Sequence, residues 1–463
     1  VARRLAHLPH LLFLDSADTQ HPRGRYSYVA AAPHNVRRGP APAVGEDPFR
    51  GQRADLERFR LATIPELPPF QGGIAGLFGY GLNRSLERIP PPRFDEFGVP
   101  DLATAVYPWV VSFDHQQQRA WVVATGFPVT AAAARADCAR EQIAQVLRWL
   151  GSSEPSRRVT RPVPACPAIA AEDLCPQFPL PHDSGVTSNF RRADYEAAVG
   201  RAVEYIHAGD CFQVNLSQRL LAPLRDEPLV LYDRLRRRNP APFAAYFDLG
   251  DFQILSASPE RFLRLHPQGD IETRPIKGTR PRGPTAAADA ALLHDLTTNP
   301  KDRAENVMIV DLLRNDIGKV CEWGSVRVPV VCEVESFRFV HHLVSEVRGK
   351  LRSGLGPFDL LTAAFPGGSV TGAPKVRAME IIAELEPTAR GPYCGCLGWI
   401  GFDGAMDTNI LIRTFTAGRG WLQFPVGGGI VADSDPAREY EETLHKATGL
   451  LRSLQKLQPE SDD

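Results

Sequence analysis

Apolar and polar positions change period several times along this chain, and the changes divide it into blocks. Up to about residue 150 short strand-like runs dominate: Leu11-Leu12-Phe13-Leu14, Tyr26-Ser27-Tyr28-Val29-Ala30 and Ala105-Val106-Tyr107-Pro108-Trp109-Val110-Val111. Pro108 cannot donate to a ladder, which predicts an edge position for the last run. Residues 131–150 take a helical period and close the block. From Gly151 to Ser188 the period is lost and proline and small polar residues prevail, predicting an extended connection or a mobile loop. Beyond it, helical spacing over Arg192–His207 stops at Gly209. Strands are predicted at 212–220, 244–249, 253–256, 262–265, 397–402, 410–415 and 421–425, with two long acidic helices near 302–315 and 436–455. The alternation lacks a βαβα rhythm and no repeat is present, which predicts an α+β fold with largely antiparallel sheets. Three regions follow: 1–150, a Pro-rich linker 151–188, and 189–455.

Bulk composition narrows the function classes. The 463 residues are 43% hydrophobic and 23% charged, enough apolar material for a large core. A formal net charge of −1 gives no global field toward nucleic acid or an anionic membrane. The cluster Arg234-Leu235-Arg236-Arg237-Arg238 is expected to be a solvated helix face. No apolar run approaches the ~18 residues of a membrane span. Eight cysteines show neither a disulfide framework nor metal-ligand spacing, which predicts a reduced, cytoplasmic setting.

The acidic helices carry candidate chemistry. Asp302, Glu305, Ile309 and Leu312 fall on one helical face, two carboxylates at one end and apolar residues at the other. In the second helix Asp435 is a candidate N-cap with Pro436 in the first turn. Tyr440, Leu444, Ala447, Leu451 and Leu454 form its packing stripe, and Glu439, Glu442 and Lys446 line up beside it. Two helices with i,i+3 acidic pairs suit a shared Mg²⁺, which prefers oxygen ligands and retained waters.

Loops add candidates. Lys277 lies in Arg274-Pro275-Ile276-Lys277-Gly278-Thr279-Arg280, where Pro275 restricts and Gly278 frees the backbone at an expected turn. A lysine held there can be a covalent nucleophile if its amine is neutral. Pro366–Lys375 and Val426-Gly427-Gly428-Gly429-Ile430 are candidate anion-binding loops. Neither matches a phosphate loop or a dinucleotide fingerprint, and no nucleotide is expected.

Together these segments resemble the chorismate-utilising enzymes, a family that includes anthranilate, aminodeoxychorismate, isochorismate and salicylate synthases. The resemblance rests on Gly209–Ser217, Ser258-Pro259-Glu260-Arg261-Phe262, the Lys277 run, Asp302–Asp316, His341–Ser345, Gly367–Lys375 and Gly427–Lys446, in family order. A looser match runs through Leu14-Asp15-Ser16 and Gly24–Tyr28. The family fold implied is two antiparallel sheets packed as a β-sandwich with outer helices, both halves of the chain contributing to it.

The resemblance also implies a site. Chorismate would be the substrate and Mg²⁺ would sit on its ring carboxylate, with Glu305 and Glu442 as direct ligands and Asp302 and Glu439 acting through water. Tyr393, Arg413, Gly427, Gly428 and Gly429 would hold the carboxylates, with Thr279, His342, Thr371 and Lys446 lining the same pocket. Isochorismate and salicylate synthases carry a lysine base in place of Gln213, so water addition is disfavoured here. Anthranilate synthases carry a small residue in place of Lys277, so a lysine there implies the aminodeoxychorismate branch. Glu260 would protonate the departing 4-hydroxyl, its alternative being a salt bridge to Arg261. Lys277 would attack C2, and ammonia would then attack C4. The product would be 4-amino-4-deoxychorismate, on the way to p-aminobenzoate and folate. No glutaminase elbow is seen, which implies a separate glutamine amidotransferase. Leu14-Asp15-Ser16 and Asn239-Pro240-Ala241-Pro242-Phe243 resemble segments that bind tryptophan in relatives, with Ser16, Asn239 and Pro240 as the site residues, or else are packing turns. The rival activity is anthranilate synthesis; an idle regulatory subunit would have lost the charged site groups.

Overall fold

The alternating apolar runs pair into two antiparallel sheets, because each strand has a face that only another layer can bury. The chain is described here by a computed structural model, which covers residues 1–19, 21–151, 167–180, 185–336 and 340–455. Among these residues one sheet has twelve strands and the other ten. Their inner faces meet in a core where Leu12, Tyr28, Val110, Phe247 and Ile254 pack with Ala75, Leu77, Tyr107, Leu397 and Trp399. Helices Pro228–Arg238 and Pro436–Leu454 cover the outside of the first sheet through Leu231, Leu235, Ala447 and Leu450. Helices Pro300–Gly318 and Pro357–Ala364 cover the second through Ile309, Leu313, Leu360 and Leu361. The expected sandwich with outer helices is therefore what the chain forms.

Strands from both sides of the Pro-rich stretch enter each sheet. Leu12–Asp15 pairs with Phe243–Asp248 in the first sheet. Gly73–Phe78 pairs with Cys396–Gly401 in the second. Helix Arg192–His207 has the predicted ends, and the 131–150 helix is observed as Ala132–Gly151.

Two predicted strands each prove to be two, and in both cases the chain changes sheets. Leu102–Tyr107 lies in the second sheet and Trp109–Asp114 in the first, with Pro108 at the crossing. Neither is an edge, which corrects the expectation drawn from Pro108: the missing donor falls between two ladders rather than beside one. Residues 410–415 likewise split into Met406–Ile410 and Thr414–Gly418 in opposite sheets, with Arg413 between them at φ 52°.

The linker expectation also needs revision where residues are described. Phe178–Pro179 and Thr187–Ser188 extend the first sheet beyond Gln213–Pro223, and Cys175, Leu180 and Val186 are buried. Residues 152–166 and 181–184 of that stretch lie outside the described residues. The arginine cluster is only partly a solvated face. Arg234 pairs with Asp226 at 2.5 Å and Arg236 with the buried Asp15 at 2.6 Å. Among the described residues no helix is long and apolar enough to cross a membrane.

Candidate active site

The lysine segment is a strand rather than a turn. Ile276–Pro281 pairs with Val340–Lys350, but the register slips between Ile276↔Val344 and Thr279↔His342. The slip falls on Lys277 and Gly278, and Gly278 has φ 86°. Such a bulge re-aims the side chain beside it. Glycine is required here twice over, since a Cβ would also stand 3.0 Å from Leu296 Cδ1 and 3.2 Å from Asp302 Cβ. Lys277 Nζ lies 3.1 Å from where a Cβ of Gly429 would be, and Gln213 Cδ lies 3.1 Å from the same point. Lysine, glutamine and glycine thus converge. Gln213 is fully buried, yet neither polar atom of its amide has a partner among the described residues. A buried amide in that state is costly unless a ligand completes it.

Glu260 lies between strands Phe252–Ser258 and Arg261–Leu265 and is 5% exposed. Arg261 turns away, to Asp407 at 3.0 Å and Glu272 at 2.7 Å, which removes the alternative of a Glu260–Arg261 salt bridge. Instead Ser369 Oγ donates to Glu260 Oε1 at 2.8 Å. Burial pushes the Glu260 carboxyl up from 4.5 to about 7, with Ser369, Lys277 and the Ile276 backbone holding it back. Burial, helped by Lys446, lowers Lys277, while Glu305, Glu260 and Glu442 oppose. The acid and the amine are each biased toward the neutral form, the states that a proton donor and a nucleophile require.

The two acidic helices face each other across this point. Asn299 caps Pro300–Gly318, its side chain accepting from the Lys301 and Asp302 N–H groups. That cap was readable in Asn-Pro but was not anticipated. Asp435 caps Pro436–Leu454 as expected, accepting from Arg438 N–H at 2.9 Å. The stripes are rotated slightly from expectation, with Asn306, Leu313 and Asp316 buried on the first helix and Thr443 and Leu450 on the second. A Cβ at Gly428 would lie 3.1 Å from Glu439 Oε2, 3.6 Å from Glu442 Oε1 and 3.7 Å from Lys446 Nζ. Only glycine leaves that space open.

The four carboxylates differ in how they are settled. Glu442 pairs with Lys446 at 2.7 Å, and although burial raises it, Lys446, Lys277 and Lys301 bring it below its ordinary value. Asp302 pairs with Arg280 at 2.8 Å. Glu439 accepts from Ser434 at 2.6 Å and is raised by burial and by Glu442. Glu305 is raised by burial, with Asp302 and Glu442 adding to it. Among the described residues no three His, Cys, Asp or Glu side chains converge as a cage for an ion. The donor set fits Mg²⁺ in its usual manner, which takes one or two carboxylates and completes its shell with water and substrate oxygens.

The remaining polar candidates are Arg413, Tyr393, His342, Thr279 and Thr371. Burial lowers the half-buried Arg413 guanidinium, with Tyr393 opposing. His342 is held down to about 4, by burial and then by Arg413, and is neutral at pH 7. Its Nδ1 is 2.8 Å from Thr279 Oγ1. The hydroxyl of Thr371 donates to Gly367 O at 3.0 Å and shapes the loop that carries it. Lys375, at the end of that loop, is held by Asp316 and Ala364 O at 2.6 Å each. Gly427–Gly429 are a strand rather than a loop. They belong to strand Trp421–Ile430 and pair on one edge with Ser217, Leu216 and Asn215, whereas pairing on the other edge, with Thr414–Gly418, ends at Gln423. Lys446 Nζ donates to Gly427 O at 2.9 Å.

The structure does not unite the three residues matched to a tryptophan site. A separate cleft of ≈ 840 Å³ is lined by Asp15, Ser16, Arg23, Tyr26, Pro242 and Trp399, among others. Asn239 and Pro240 do not line it. The Asn239 side chain instead donates to Gly449 O at 2.9 Å, tying two helix ends together. Pro242 and Phe243, from the same matched segment, do line it.

Comparison with known proteins agrees with this geometry. A profile of chorismate binding enzymes matches residues 11–452. Aminodeoxychorismate synthase component 1 of Salmonella typhimurium is 42% identical over 462 residues, covering 97% of this chain and 94% of its own. Anthranilate synthase component 1 of Thermus thermophilus is 44% identical, but over 85% of this chain and 80% of its own. The crystal structure of anthranilate synthase component I from Streptococcus pneumoniae superposes with a TM-score of 0.75 at 32% identity, over 92% of this chain and 91% of that one. This chain belongs to the chorismate-binding enzyme family.

Proposed function

We propose that this chain is an aminodeoxychorismate synthase component 1, which aminates chorismate with ammonia supplied by a glutamine amidotransferase. The observation that carries the proposal is Lys277, aimed by its bulge at the Gln213–Gly429 gap and depressed toward the neutral amine. Near-full-length similarity to the Salmonella protein supports it.

Arg413 and Tyr393 hold the substrate carboxylates, and neutral His342 and Thr279 orient the ring. Lys277 Nζ attacks C2. The C1=C2 and C5=C6 double bonds shift to C1=C6 and C4=C5, and the C4–O bond breaks. Glu260 gives its proton to the departing hydroxyl, which leaves as water. Ammonia then attacks C4, the double bonds shift back, and the C2–N bond to Lys277 breaks. The enolpyruvyl group stays in place. Two easier displacements replace one hard one, the usual gain of covalent catalysis. Gln213 cannot act as a general base, so attack by water is not promoted. Glu305 and Glu442, with Asp302 and Glu439 through water, would hold a Mg²⁺ that neutralises the ring carboxylate. The ≈ 840 Å³ cleft is a candidate tryptophan site, with Ser16 at its wall.

Intact mass spectrometry tests this with chorismate and Mg²⁺ but no ammonia, comparing wild type with Lys277→Ala. An adduct in the wild type alone, mapped to Lys277, is the expected result. Formation of anthranilate once ammonia is added would overturn the assignment in favour of the rival activity.

A further inference from the structure

Ser369, already seen donating to Glu260, has been given no part in the reaction. It sits in the 3₁₀ turn Gly368–Val370 and is 8% exposed. Its hydroxyl has one proton, and that proton goes to Glu260 Oε1. The turn is held from both ends. Thr371 Oγ1 closes on Gly367 O at 3.0 Å, and Lys375 is fixed by Asp316 and Ala364 O. Ser258 Oγ bonds Ile410 O at 2.5 Å and steadies the strand end that leads to Glu260.

We propose that Ser369 is a positioning residue that decides which oxygen of Glu260 carries the proton to be transferred. With Oε1 already accepting from Ser369, the carboxyl proton is placed on Oε2. After transfer the same hydrogen bond meets a carboxylate rather than a neutral acid, and bonds to a charged acceptor are stronger. The interaction therefore grows along the reaction and acts on kcat rather than on substrate binding. The other groups that act on Glu260 are Lys277 and the Ile276 backbone from the lysine strand. Cys394, whose thiol burial pushes up to about 12, also feels the Glu260 charge. None of these is changed by altering Ser369. The inference rests on Glu260 being the general acid.

The test compares wild type, Ser369→Ala, Ser369→Thr and Glu260→Gln in ammonia-dependent turnover of chorismate across pH. Ser369→Ala is expected to lower kcat roughly ten- to hundred-fold with KM for chorismate nearly unchanged. It should also move the Glu260 limb of kcat, near pH 7, to higher pH, because the acid loses a bond that favours its ionised form. Ser369→Thr keeps the hydroxyl and should restore both, which a role in packing alone would not require of the pH profile. An unchanged profile in Ser369→Ala, with Glu260→Gln inactive, overturns the inference and leaves the general acid in place. An active Glu260→Gln enzyme removes the general acid itself, and the inference with it.

Discussion

The reactive half of the site and its carboxylate half differ in how many partners answer their charges. Around Lys277, Glu260 and Gln213 burial dominates and partners are few: the amine is pushed down, the acid up, and the amide has no partner among the described residues. Among the four carboxylates Asp302 is answered by Arg280, Glu442 by Lys446 and Glu439 by Ser434; burial still raises Glu305 and Glu439, while Glu442 is held below its ordinary value. On the proposed function the first arrangement supplies the groups that react. The second would be the surface that a cation and a substrate carboxylate join by displacing existing partners. Desolvation suits covalent and proton-transfer chemistry, whereas paired carboxylates suit ion binding.

Breaking the reactive half should have the largest effect. Glu260→Gln is expected to cost about 10²–10⁴-fold in kcat, as removal of a general acid does. In the wild type kcat should be bell-shaped in pH, because the reaction needs a protonated Glu260 and a neutral Lys277, with the Glu260 limb near pH 7. The limb near pH 7 should be missing from the residual activity of Glu260→Gln. Lys277→Ala should lose at least about a hundred-fold in steady-state turnover together with the covalent adduct.

Breaking the carboxylate half should act through the ion. Glu305→Gln and Glu442→Gln are expected to raise the Mg²⁺ concentration for half-maximal activity most. Asp302→Asn and Glu439→Gln should raise it about 10–100-fold, the usual scale for outer partners of a metal. If all four variants show the wild-type Mg²⁺ dependence in a titration of activity, the carboxylate face is not the metal site.

A smaller effect sits where the halves meet. A methyl at Gly429 would press on Lys277 Nζ and Gln213 at 3.1–3.2 Å, both ends of flexible side chains. Gly429→Ala should therefore fold normally by thermal melting, yet lose rate through a displaced lysine. A methyl at Gly428 would meet Glu439 Oε2 instead, so Gly428→Ala should alter Mg²⁺ dependence rather than adduct formation.

Stability sharpens the comparison further. Glu260 has a folded pKa raised from 4.5 to about 7. The folded state then binds this proton more tightly than the unfolded state, so its contribution is greatest below about 4.5 and declines as pH rises to about 7. Replacing it with neutral glutamine should stabilise the protein above pH 7, by up to about 3 kcal/mol, in denaturant melts. Tryptophan at about a hundred times its dissociation constant would add about 2.7 kcal/mol if it fills the ≈ 840 Å³ cleft. An unshifted melt at saturating tryptophan would remove that site.

By itself the sequence determined the elements and the chemical inventory. Periodicity located Arg192–His207 and the two acidic helices, because an amphipathic face and its caps are local properties. Motif order gave Lys277, Glu260 and the four carboxylates as one family site. Tertiary structure decided what local pattern could not carry. Pro108 and Arg413 mark crossings between sheets, and such a crossing is defined only by which strands lie alongside. The triglycine is a strand because Gln213–Pro223 is beside it, and its glycines are needed because side chains from distant segments occupy the space a Cβ would fill. Ser369 reaches Glu260 across 109 positions of sequence, a contact that no window of local pattern spans. The neutral bias of Lys277 and Glu260 likewise depends on burial, which is a property of the packed chain and of no single residue.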